Sequence, residues 1–274
     1  MIEKQPFLRG YSVMRLPIVR ADGTPEWPEM FPLEKIEQLR ASVGQRHFSS
    51  QMMLEYLNDE KLALDPEALH FYDFDFDPRF ARLGDNLITG VSFYWDPSAG
   101  RAKSDGSVCA LVYKDDKNKR AFVHDIRYLK VSDGDLHPLG TQCDEILDFM
   151  RMHGLRNIAV EVNGIGSALP EILGDVAKKK GQALIVQKIT NHKNKEARIL
   201  DSIEPVLTTG RLWMRRRICG TRLMTEMLEW SPIAANARDD GLDALAGALQ
   251  MRASPVRPMS AGFKILKANT DFKI

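Results

Sequence analysis

Three blocks of apolar residues, Leu87 to Trp95, Ser107 to Tyr113 and Ala121 to Leu129, follow one another at strand length, the last two separated by the charged turn Lys114-Asp115-Asp116-Lys117-Asn118-Lys119. Blocks this short, joined by short polar connections, predict an antiparallel meander. Downstream the apolar spacing widens to the helical period. It predicts helices over Leu139 to His153 (closed by Gly154), Ala168 to Lys180, Lys195 to Leu207, Thr221 to Trp230 and Asp239 to Met251. Between the first three of these lie two further strand-like runs, Asn157 to Val162 and Ala183 to Lys188. Strands alternating with helices imply βαβ units and parallel pairing. The expected fold class is therefore α/β: a mixed sheet, part antiparallel meander and part parallel, flanked by helices.

The first eighty residues lack this regularity. Arg15-Leu16-Pro17-Ile18 ends an apolar run, and Ala21-Asp22-Gly23-Thr24-Pro25 has turn chemistry. Leu33 to Val43 predicts a short amphipathic helix, with a second over Ser49 to Tyr56. Phe71-Tyr72-Asp73-Phe74-Asp75-Phe76-Asp77-Pro78 alternates aromatic and acidic residues until a proline stops it, which suits an edge strand or an extended connector. We expect an N-terminal extension over residues 1–80 and a main domain over residues 81–274.

Composition narrows the function classes. A 44% hydrophobic content supports a packed core. No apolar run reaches the roughly 20 residues of a membrane span, and the N-terminus has no secretory pattern, so no membrane partner is expected. Cys109, Cys143 and Cys219 stand apart, with no pairing that suggests zinc or a redox couple. The net charge of +1 hides an uneven distribution. Residues 1–80 carry nine Lys and Arg against fourteen Asp and Glu, whereas residues 175–222 carry twelve against four. The basic stretch includes Lys178-Lys179-Lys180 and Arg215-Arg216-Arg217, and it suits either a polyanion or a solvated surface.

Three acidic positions carry the candidate chemistry. Asp96 ends an apolar strand and opens the loop Pro97-Ser98-Ala99-Gly100; alone it reads equally as a turn residue before proline. Glu161 interrupts Ile158-Ala159-Val160-Glu161-Val162, where an unpaired carboxylate would be costly to bury and calls for a metal, a basic partner or a strand end. Arg238-Asp239-Asp240-Gly241-Leu242-Asp243 opens a helix with more acid than capping requires. Asp240 and Asp243, three apart, share a helix face. An all-oxygen set suits Mg2+ or Mn2+, and two such ions suit phosphodiester hydrolysis.

The order of elements is that of the RNase H-like architecture, and the motifs resemble the C-terminal nuclease of the large terminase subunit of tailed bacteriophages. The matching pieces are Trp95-Asp96-Pro97-Ser98-Ala99-Gly100, Ser104-Asp105-Gly106-Ser107, Val160-Glu161-Val162-Asn163, Lys195-Glu196-Ala197-Arg198-Ile199, Gly210-Arg211-Leu212 and Arg238 to Leu245. Leu16-Pro17-Ile18, Trp27-Pro28-Glu29, Phe48-Ser49-Ser50-Gln51 and Tyr56-Leu57-Asn58-Asp59 are similar to the end of that family's ATPase region. The resemblance implies a two-metal endonuclease that cuts double-stranded viral DNA during packaging, in the cytoplasm of the infected bacterium. It implies Asp96, Glu161 and Asp240 as ligands, with Asp243 and then Asp239 as alternatives for the third. Lys195 and Arg198 would lie near the scissile phosphate, and with Arg215 and Arg216 they are the candidate DNA contacts. The family's portal, small subunit and packaging ATPase are the implied partners. No GxxxxGK[ST] phosphate loop occurs in this sequence, so ATP-driven translocation is expected to come from a separate chain or a missing domain. The other readings are a junction resolvase or transposase of the same architecture, and a docking module without catalysis.

Overall fold

The computed structural model describes residues 14–43, 48–54, 63–98, 107–132, 134–232 and 238–259. It divides into two compact units, Met1–Lys61 and Leu62–Ile274. In the first, helix α1 (Leu33–Val43) forms as its apolar spacing predicts and buries Ile36 with Ile18 and Phe48. Ile18 donates its amide to the Met52 carbonyl at 2.8 Å. The second predicted helix is a single π-type turn over Phe48–Met52, and Tyr56-Leu57-Asn58-Asp59 lies outside the described residues.

The second unit opens with strand β1 (His70–Tyr72) and a small antiparallel sheet of β2 (Phe76–Asp77), β3 (Arg82–Leu83) and β4 (Asn86–Leu87). The predicted meander follows as β5 (Gly90–Asp96), β6 (Ser107–Asp115) and β7 (Arg120–Leu129). Helix α2 (Pro138–Met152), strand β8 (Asn157–Glu161), helix α3 (Leu169–Lys179), strand β9 (Ile185–Ile189) and helix α4 (Lys195–Thr208) come next. Strand β10 (Leu212–Arg215), helices α5 (Leu223–Glu229) and α6 (Asp240–Gln250) and strand β11 (Ser254–Pro255) complete the described chain. The main sheet runs β1-β10-β7-β6-β5-β8-β9, with β11 beside the start of β5. Pairing of β5 with β6 and of β6 with β7 is antiparallel; β8, β9, β10 and β1 join in parallel. The alternating aromatic–acidic stretch thus supplies the edge strand β1.

Helices cover both faces, which explains why β6 is apolar at nearly every position. On one face Val108, Ala110 and Val112 pack with Ile199, Ile203, Leu242 and Leu245 of α4 and α6. On the other, Cys109, Leu111 and Tyr113 pack with Ile146, Phe149 and Leu173 of α2 and α3. Strand β7 changes phase midway: Leu111 pairs with Asp125 but Val112 with Val123, which leaves His124 as an extra residue. The bulge turns the second half of β7 over, so that Tyr128 faces α5 and α6, whereas Phe122 faces α2. Among the described residues, no helix is long and apolar enough to cross a membrane.

Candidate active site

Because β5 and β8 run parallel as neighbours, Asp96 and Glu161 both lie at carboxyl ends of strands on the face covered by α4 and α6. Helix α6 adds its acidic first turn from above. It approaches closely because Gly247 lies on the Tyr94 ring, where a Cβ would come within 2.4 Å of two ring carbons. The N-terminus of α6 is also tight: a Cβ at Gly241 would stand 2.0 Å from the Tyr128 hydroxyl and 2.6 Å from Glu226 Oε2.

Around Glu161 the polar groups converge on one oxygen. The Tyr94 hydroxyl donates to Oε2 at 2.6 Å, Asn191 Nδ2 donates to it at 2.8 Å, and an Arg198 nitrogen stands 3.6 Å away. Arg198 Nε donates to Asp243 Oδ1 at 2.9 Å, and Nη2 donates to the same oxygen. Lys195 Nζ lies 2.6 Å from Asp239 Oδ1 and 3.7 Å from Asp243 Oδ2. Burial pushes the Asp96 carboxyl well above the ordinary carboxylate range, and the charges of Asp243 and Glu161 push it further. Asp243 is raised by burial too, against the pull of its Arg198 bonds. Lys195 loses hydration, yet its bond to Asp239 and the surrounding carboxylates hold it above its usual value.

The structure thus brings Asp96, Glu161 and Asp243 into mutual electrostatic contact, with Lys195 and Arg198 among them. Asp240 lies toward Tyr128 and Glu226, where its charge raises both groups. Asp239 stands at the N-cap position of α6 but makes no cap with its side chain, its carboxylate being taken by Lys195. The cap comes instead from Glu226, whose Oε2 accepts the Gly241 and Leu242 amides at 2.9 and 3.2 Å and whose Oε1 accepts the Tyr128 hydroxyl at 2.9 Å. The arginine triplet is elsewhere and paired: Arg215 with Asp75, Arg216 with Asp73, Arg217 with Asp125. Sequence reasoning missed Tyr94, Asn191 and Glu226. Tyr94 carried one usable signal, since its place two residues before Asp96 puts it on the same strand face.

Burial pushes Glu226 up to about 7, and Asp240 adds to the rise against the donors that the carboxylate accepts. An acid whose folded pKa lies above its unfolded value keeps its proton longer in the folded chain. Its contribution is therefore full below the unfolded value and lost as pH rises through the folded one, here from about 4.5 to about 7. We expect Glu226→Gln to flatten the fall in urea midpoint across this window, because glutamine keeps the acceptor and cannot ionise. A slope equal to that of the parent would refute this account.

The donor set fits a hard divalent cation: carboxylate oxygens from two strand ends and one helix, with like-charge repulsion that a cation would relieve. Among the described residues, no group of three or more His, Cys, Asp and Glu side chains is already drawn together around a single point, since Arg198 and Lys195 engage Asp243 and Asp239.

Residues 96–212 match the family model "Terminase Bacteriophage T7, Ribonuclease H-like domain". Among curated proteins nothing matches. Among solved structures, the P22 large terminase nuclease domain superposes with a TM-score of 0.51 at 11% identity, over 71% of this chain and 93% of that one. The human cytomegalovirus terminase nuclease domain gives 0.44 at 14% identity, over 60% and 83%. The nuclease domain of the large terminase subunit of bacterial virus Sf6 gives 0.46 at 13%, over 72% and 100%. Of these three, the first bears on the fold, and it agrees with the mixed sheet described above.

Proposed function

We propose, for a chain whose residues 96–212 match the terminase RNase H-like family model, a divalent-metal-dependent endonuclease that hydrolyses phosphodiester bonds of double-stranded viral DNA during genome packaging. The observation that carries this reading is the convergence of Asp96, Glu161 and Asp243 from β5, β8 and α6, three elements distant in sequence. Asp96, Glu161 and Asp243 would hold the metal, with Asp240 and Asp239 outside them. We place Asp243 ahead of Asp240 because its charge acts directly on Asp96 and it shares Arg198 with Glu161.

A pair of Mg2+ or Mn2+ ions would supply water activation and charge neutralisation at the scissile phosphate. The chain's own groups do the positioning. Tyr94 and Asn191 tie down Oε2 of Glu161 and leave Oε1 for the cation. Arg198 and Lys195 offset the negative charge of the cluster, and Lys195, the less buried of the two, would meet an incoming phosphate. In this reading the protein works in the cytoplasm of the infected bacterium with a packaging ATPase, the portal and the small terminase subunit.

The test is supercoiled plasmid incubated with the full chain and Mg2+ or Mn2+, with EDTA as control. Nicking or linearisation that EDTA abolishes is expected. Binding with no cleavage in either metal would sink the enzyme reading and favour a docking module, while preference for four-way junctions over linear duplex would favour a resolvase.

A further inference from the structure

The carboxyl-end rim of the sheet carries exposed cations that the acidic cluster does not use. Asp96 pairs with Val108, and Val108 with Tyr128, in one continuous row across β5, β6 and β7. Residues directly opposite in antiparallel strands share a face, and neighbouring strands lie about 4.8 Å apart, so Tyr128 is roughly 10 Å from Asp96 on the same face. The Arg222 guanidinium lies over the Tyr128 ring, 5.9 Å from its centroid. Lys130, exposed, follows Tyr128 by two positions at the same strand end. On the opposite flank Glu161 pairs with Ile189, and exposed Lys193 follows four residues later, its Nζ a loose 3.8 Å from Asp201. Exposed Arg238 directly precedes Asp239, whose carboxylate holds Lys195.

Among the described residues, Lys130, Arg222 and Arg238 have no carboxylate within ion-pair distance. The arginine triplet is the opposite case, with all three guanidinium groups already paired. The row from β7 to β9 crosses five strands, roughly 19 Å from first to last at the usual spacing. That span exceeds the roughly 12 Å width of a major groove, so cations at its two ends can reach the phosphates that flank the groove on either side. A single strand is usually gripped by aromatic platforms, whereas here the rim's tyrosine lies beneath Arg222.

We propose that Lys130, Arg222, Arg238 and Lys193 form the surface that contacts duplex DNA phosphates and sets the strand over the acidic cluster. This rests on the nuclease reading, and it takes DNA contact away from Arg215 and Arg216. Lys130 and Arg222 grip one side of the cleavage point, Lys193 the other, and Arg238 stands over the helix N-terminus that bears Asp239 and Asp243.

The experiment is fluorescence-anisotropy binding of a labelled blunt duplex to the full chain in EDTA, across a salt series. Each lost phosphate contact lowers the slope of log K against log salt by about 0.9. The double variant Arg222→Ala/Arg238→Ala is expected to lose close to two units of slope, with an unchanged melting temperature. Arg216→Ala is expected to keep the parent slope. A parent-like slope in the double variant, an equal loss in Arg216→Ala, or tighter binding of single-stranded than of duplex DNA would each overturn the proposal. Because no metal is present, binding is read independently of cleavage. A chain that cuts plasmid but keeps its slope in the double variant refutes the rim alone. One that shows the slope loss and never cuts refutes the nuclease alone.

Discussion

Replacing Asp96 with asparagine is expected to lower metal-dependent plasmid cleavage by more than about 100-fold, since even outer partners of metal ligands cost 10–100-fold when removed. The same change is expected to leave the melting temperature of the metal-free protein equal or higher. Both halves follow from one environment. Burial and the charges of Asp243 and Glu161 make ionisation of Asp96 unfavourable in the folded chain, so its charge works against folding at neutral pH. Asparagine keeps the shape and removes the charge. On the proposed reading, what is lost is a carboxylate oxygen that would hold the cation, a trade of stability for activity. Cleavage assays and thermal unfolding in EDTA check the two halves separately. Cleavage within tenfold of the parent would remove Asp96 from the site; a marked drop in melting temperature would show its charge to be structural.

The largest effect on stability is expected from Arg198→Met. Arg198 and Asp243 are each 4% exposed, so removing the guanidinium leaves a carboxylate buried without its main partner. Breaking such a pair from one side costs about 3–5 kcal/mol, against at most about 1 kcal/mol for an exposed pair. At about 2–4 °C per kcal/mol for a chain of this size, the melting temperature should fall by roughly 6–20 °C. The double variant Arg198→Met/Asp243→Asn, which removes both charges, is expected to recover most of that loss. Denaturant unfolding of the parent, both single variants and the double variant gives the coupling directly. A single-variant loss below about 1 kcal/mol would mean that the pair behaves as a surface contact.

The acidic positions legible in the sequence are those where local pattern and chemistry conflict. An acid inside Ile158-Ala159-Val160-Glu161-Val162 stands out because its neighbours are destined for the core, and Asp96 stands out at the end of an apolar strand. The three strands, the parallel additions and the helices were legible from period alone. The choice among Asp239, Asp240 and Asp243 was not, because it depends on how α6 is turned about its axis. That rotation is set by Gly247 against Tyr94 and by the Glu226 cap, contacts with no local signature. Tyr94 in an apolar strand reads as core, which it also is. Counting charge along residues 175–222 drew attention to the arginine triplet, but the count is blind to Asp73, Asp75 and Asp125, which reach it only in the folded chain.

The bulge at His124 has a consequence for comparing this chain with its relatives. Length in β7 is tied to the bulge: the same number of residues between Phe122 and Tyr128 without the bulge would exchange the two faces of the strand's second half. Arg127 and Leu129 would then meet α5 and α6, and the tyrosine that carries Arg222 and bonds Glu226 would point to α2. An alignment that leaves no gap here against a strand without the bulge would equate residues on opposite sides of the sheet. Correspondence beyond residue 124 is therefore better counted backward from Tyr128 than forward from Arg120.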